Sequence, residues 1–186
     1  MRTLTVKNSG DFVDKFPPGW HALTILKAKY GEFNDSKYID VWFKEYADIE
    51  KLSMRVWAKT GESGEEFAIG RLFRFANACI KNISKSDDGE ATITIDDNAS
   101  ELIDKKINVF FYKKEGSKYT EVLPQPAPTE FKNDLEEFTT SKIDYWKQKA
   151  EDYYKNYVAK KNSTSSNGFV EETKSVNTES NTEMPW

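Results

Sequence analysis

The sequence predicts a mainly β protein with helices: a small OB-like β-barrel with one embedded helix, a C-terminal helical extension and a disordered tail. Three observations predict it. A two-residue alternation marks KYIDVWF and KLSMRVWAK, where Ile39, Val41, Phe43, Leu52, Met54 and Val56 alternate with aromatic, charged and polar residues. One run, FAIGRLFRFANACI, has helical spacing and lies between strand-like segments. From Asn162 onward the chain loses both hydrophobicity and period.

The elements follow in order. Met1–Phe16 is weakly patterned and is expected to be a loose arm. Pro17-Pro18-Gly19 breaks it from the OB-like domain, residues 17–123. A first strand is expected over Trp20–Tyr30, a turn at GEFNDS, then strands at Lys37–Lys44 and Lys51–Lys59. Phe67, Ile69, Leu72, Phe73, Ala76 and Ile80 predict a helix, led in by Glu65 and Glu66, whose charge suits a helix N-terminus. SKSDDGE reads as a turn, Ala91–Ile95 as a short strand, and DDNASELIDKK as a turn with a short helical element. INVFFYKKEGSKYTEVL predicts a hairpin that turns at Glu115-Gly116-Ser117. Pro124–Pro128 reads as a stiff, extended linker ending the domain. Residues 129–161 read as helical, with Ser141 and Asp144 able to cap a second helix. Ile143, Trp146, Ala150, Tyr153 and Tyr157 share one face of it, suited to docking on the barrel or to self-association, so a homo-oligomer is compatible. Residues 162–186 form the tail.

Composition narrows the function. No apolar run suits a signal peptide or a membrane span, and the single Cys79 cannot form an internal disulfide, so a cytoplasmic protein with no membrane partner is expected. The net charge is −4, of which the tail, with four glutamates against one lysine, supplies −3. The body is therefore close to neutral. Phosphate-loop and dinucleotide-binding glycine motifs are absent, and one histidine and one cysteine cannot build a Cys/His zinc site. Cys79 lies in the helical apolar run and reads as core filler; His21 reads as a strand-edge residue. Asp87-Asp88 and Asp96-Asp97 read as solvated turns. Neither an enzyme nor a bound cofactor or metal is expected.

The candidate site is the face of the second and third strands opposite the core. Ile39, Val41 and Phe43, with Leu52, Met54 and Val56, form a core side that is aliphatic but for one Phe. The other side carries Tyr38, Trp42, Arg55, Trp57 and Lys59. Single-stranded nucleic acid stacks its bases on aromatic rings while lysine and arginine follow its phosphates. Tyr38, Trp42 and Trp57 are the candidate platforms; Lys37, Lys44, Arg55 and Lys59 are the candidate phosphate contacts. The alternative is a non-catalytic assembly module whose aromatic face is a protein interface. A metal-dependent nuclease using the acidic clusters is a weaker rival, since no metal motif supports it.

Together these features resemble the single-stranded DNA-binding proteins of phages, a family with an OB-like core, a linker and an acidic tail. The similarity rests on Pro18-Gly19-Trp20, KYIDVWF, FAIGRLFRFANACI and ELIDKKINVFF in that order, over residues 17–123, and on the tip. Tails of this family end in an acid, aliphatic residues, Pro and Phe, and recruit replication and repair enzymes. Glu183, Met184, Pro185 and Trp186 occupy the corresponding positions, with Trp in place of Phe and only one acid before the apolar residue. The resemblance implies single-stranded DNA as ligand, and replication or recombination proteins as partners of the tip. It implies the host cytoplasm as the location of a phage-encoded chain. Residues 129–161 lie outside the resemblance.

Overall fold

The computed structural model describes residues 16–160, apart from residues 50, 63, 86–90, 115, 116, 118 and 135. The arm up to residue 15, the tail and the tip at Glu183, Met184, Pro185 and Trp186 lie outside the described residues.

The protein is mainly β. Five strands form one antiparallel sheet: β1 (Gly19–Phe33), β2 (Ser36–Phe43), β3 (Ser53–Trp57), β6 (Lys106–Lys113) and β7 (Thr120–Val122), in the order β3-β2-β1-β6-β7. β1 organises it. Its first half pairs with β6, its second half with β2, and a bulge between Ile25 and Lys27 bends the strand where the partner changes. The mainly β fold with an embedded helix is as expected, and the barrel is not closed: β3 and β7 are the two edges, and no ladder joins them among the described residues. β7 is three residues long and Pro124 soon follows it, which has no N–H to extend a ladder.

Alternation places the core as expected. Ile39, Val41 and Phe43 of β2 and Met54 and Val56 of β3 are buried with Ile25, Ile107, Val109 and Phe111. Helix α1 (Ala68–Phe75) adds Ile69, Leu72 and Phe73 to this core. The Glu66 carboxylate caps α1, accepting from the backbone N–H of Ala68, Ile69 and Gly70 at 2.9–3.1 Å. The helix ends sooner than its apolar spacing suggests. Asn77 takes a left-handed φ of 49°, and the N–H of Ala78 and Asn77 return to Phe73 and Arg74, a Schellman end. Ile80 therefore opens a strand, β4 (Ile80–Lys85), which pairs with β5 (Ala91–Ile95) in a hairpin of which only β5 was expected. Cys79 is not core filler in a helix. It sits after the helix end at φ 47° and is half-exposed.

The segment after the sheet departs most from expectation. Pro124–Pro128 is not a free-standing spacer but runs beside β6. Ala127 is buried and exchanges two 2.9 Å backbone hydrogen bonds with Asn108, whose side-chain amide donates to the Pro128 carbonyl at 2.6 Å. The flanking prolines lack N–H groups, so Ala127 supplies the donor between them. Residues expected to begin a helix instead form a small hairpin, β8 (Phe131–Lys132) with β9 (Glu137–Phe138), turned by Asn133, which accepts from the Glu136 N–H at 2.9 Å. Helix α2 (Thr140–Tyr153) starts after Thr139, not at a Ser141 cap, and runs into a π-helical turn over Tyr154–Ala159.

The stripe on α2 docks on the sheet. Ile143 meets Phe75 and Phe138, while Ala150 packs with Tyr112 and Leu123, beside Trp20 and Phe110. Trp20 Nε1 donates to Glu151 at 2.9 Å. Arg74 and Glu136 form a bidentate pair at 2.6 Å, tying α1 to the new hairpin.

Two tyrosines give the fold a dependence on alkaline pH. Burial, then the charge and hydrogen bond of Asp97, raise the ionisation of Tyr30. Burial and the 2.7 Å bond to Glu121 raise that of Tyr112. A raised folded-state pKa means the native protein holds the proton more tightly. That stability is complete below the unfolded tyrosine value of about 10 and is lost as pH rises toward the folded value. A Tyr30→Phe, Tyr112→Phe double variant is therefore less stable than wild type at pH ~8, and the gap narrows above pH ~10. Urea midpoints across this range check it; a constant gap would contradict the linkage.

Candidate nucleic-acid interface

The register of β1, β2 and β3 assembles the candidate face row by row. Gly31, Tyr38 and Trp57 lie side by side; so do Lys29, Asp40 and Arg55; so do Lys27, Trp42 and Ser53. Residues opposite one another on antiparallel strands share a face. The tyrosine ring lies across Gly31, where any Cβ would collide with it. Trp57 meets Tyr38 edge-on at 5.0 Å between centroids. Arg55 stacks 3.9 Å from the Tyr38 centroid, and Lys27 Nζ lies 4.8 Å from that of Trp42.

Of the residues predicted for this site, the structure brings Tyr38, Trp42, Trp57 and Arg55 together. Arg55 carries a partner the sequence did not reveal. Asp40, with 8% of its surface exposed, accepts from Nε and Nη2 of Arg55 at 2.8 Å each. This bond raises the arginine's pKa further and balances its charge on the face. Lys44 lies in a short 3₁₀ turn after β2 and forms an ion pair with Asp104. Lys37 stands in register with Glu32 and has the parity of Ile39, so it is not in the Tyr38–Trp42 row. Lys59 lies past the end of β3, with Nζ 5.7 Å from the Tyr153 ring. Lys27 and Lys29 are the cations that sequence reasoning missed. Their spacing two apart on β1 was visible, but which strand lies beside β2, and in what register, was not.

The outer surface of the sheet is divided. α2 and Pro124–Pro128 pack on Trp20, Asn108, Phe110 and Tyr112, of which Asn108 and Tyr112 are buried and Trp20 and Phe110 partly so. Tyr38, Trp42 and Trp57 lie on the other part and remain half-exposed among the described residues. Beyond Trp57, a groove of about 540 Å³ runs between α1, α2 and Gln125-Pro126. Arg71 of α1 projects there, its guanidinium 5.3 Å from the Trp146 centroid. Burial, and then the neighbouring Arg74, hold its pKa below the ordinary arginine value. Its backbone is placed by α1, and the Phe67 N–H to Lys59 carbonyl bond of 3.0 Å anchors the start of that helix to the end of β3.

Among the described residues no cluster of His, Cys, Asp and Glu is placed to hold a metal ion, and no helix is long and apolar enough to cross a membrane. No protein-family model matches this chain, and neither does a curated protein or a solved structure.

Proposed function

We propose that this protein binds single-stranded DNA with little sequence preference and protects it during replication or recombination. Its place of action is the cytoplasm, that of the host if a phage encodes it. The tip at Glu183–Trp186 recruits the partner proteins. One observation carries the reading. The C-terminal helix packs against Trp20, Phe110 and Tyr112 on one half of the sheet's outer surface, and on the other half Tyr38, Trp42 and Trp57, each partly exposed, stand interleaved with Lys27, Lys29 and Arg55. Bases would stack on the indole rings, and the cations would meet the phosphates. Neutralised phosphates release counterions, so affinity falls with salt.

The test is quenching of intrinsic tryptophan fluorescence by oligothymidylate at low and high salt, with duplex DNA as control. Quenching by single strands alone, weakened by salt, is expected. No binding even at low salt would overturn the reading.

A second reading has an observation in its favour. The Asp40–Arg55 pair balances charge in the middle of the face, as suits a protein interface better than a polyanion. It predicts stable complexes with another protein and no salt-sensitive DNA binding.

A further inference from the structure

Arg71 and Arg74 stand one turn apart on α1 and meet different fates. Arg74 is held by both carboxylate oxygens of Glu136. Arg71, half-buried, donates to no carboxylate among the described residues; its guanidinium rests between Phe67 and Trp146, at 5.5 and 5.3 Å from the ring centroids. Burying a cation is costly, the charge of Glu66 offsets part of that cost, and an anion entering the groove would offset more. Two further cations border the same space. Lys59 Nζ lies 5.7 Å from the Tyr153 centroid, and Lys149 Nζ 5.7 Å from that of Trp146. Asp152, on the rim, accepts from Gln148 at 2.9 Å.

The groove also has surfaces for a flat ring. Trp146, Tyr153 and Tyr157 line it, and Tyr157 is 53% exposed. Its volume of about 540 Å³ falls in the range of small-molecule sites. It is continuous with the sheet face, because a narrower cavity of about 70 Å³ that shares Lys59, Arg71 and Tyr153 with the groove reaches Trp57.

We propose that this groove is a nucleotide subsite on the path of the bound strand: after crossing Trp57 the strand places one nucleotide there, its phosphate on Arg71 and its base against Trp146, Tyr153 or Tyr157. The proposal rests on the single-stranded DNA reading and extends the footprint from the sheet onto the C-terminal helix. Lys59 then serves at the junction of the two surfaces, not as part of the Tyr38–Trp42 rows.

Two variants separate the roles. Arg71→Gln is expected to lower affinity for a fluorescein-labelled oligothymidylate of about 12 nucleotides roughly tenfold and to reduce the slope of log K against log salt by about 0.7. Tyr157→Ala, at an exposed position, is expected to lower affinity about fivefold with the slope unchanged, since stacking releases no counterion. Anisotropy titrations at several salt concentrations read both. Wild-type affinity and slope in both variants, with Trp42→Ala still impaired, would overturn the groove and leave the sheet face intact. No binding by the wild type would overturn both.

Discussion

Replacing Trp42 and Trp57 together with alanine is expected to weaken binding of single-stranded DNA by about thirtyfold or more. Each stacked base is worth roughly 1–3 kcal/mol, so losing two platforms removes at least ~2 kcal/mol, and each ~1.4 kcal/mol is a factor of ten. The two tryptophans are the rings to change because Tyr38 has a structural duty, lying over Gly31 and beneath the Arg55 guanidinium. Trp42 and Trp57 are half-exposed and flank the Asp40–Arg55 pair along β2 and β3. The measurement is anisotropy of a labelled oligothymidylate, because the variant lacks the two of its five tryptophans that report on this face. Circular dichroism and urea unfolding establish that the sheet survives. A folded double variant that binds as tightly as wild type would remove this face from the interaction.

Phe138→Ala is expected to destabilise the whole protein by about 3–5 kcal/mol, the usual cost of deleting a buried phenylalanine. Phe138 is almost fully buried, and it meets Phe75 at 5.6 Å and Phe131 at 5.0 Å between centroids. Phe75 belongs to α1, the helix that also packs the barrel-like core through Ile69, Leu72 and Phe73. The two hydrophobic clusters are thus joined through one helix, and residues beyond 129 should unfold with the sheet. Urea unfolding followed by tryptophan emission and by far-ultraviolet circular dichroism is expected to give one shared transition, shifted to lower urea in the variant. Two separate transitions, only the weaker of them shifted, would mean that the C-terminal segment is an independent unit.

Local physics was readable wherever one short segment held the whole signal. Alternation in KYIDVWF and SMRVW separates core from outer face without knowledge of any partner strand, because successive side chains of a strand point to opposite sides. Glu66 at the entrance to α1 likewise acts within its own turn. The end of α1 was harder. Ile80 continues the helical period by accident of spacing, whereas Asn77 and the returning N–H groups stop the helix three residues earlier. Residues 80–85 and 131–138 were misread for a related reason. Short hairpins carry few apolar positions, and their pairing energy comes from a second segment.

By itself, then, the amino-acid sequence determined a mainly β protein with an embedded helix, the inward and outward sides of β2 and β3, and the aromatic character of the outward side. Only the tertiary structure decided that the sheet stays open at β3 and β7, that Asp40 answers Arg55, that Lys27 joins Trp42, and that α2 packs against Trp20 and Phe110. The physical reason is range. Alternation and capping are properties of neighbouring residues, but which charge is balanced depends on the register between strands, as for Asp40 and Arg55, and which surface is packed depends on segments more than a hundred residues apart, as for Trp20 and Glu151.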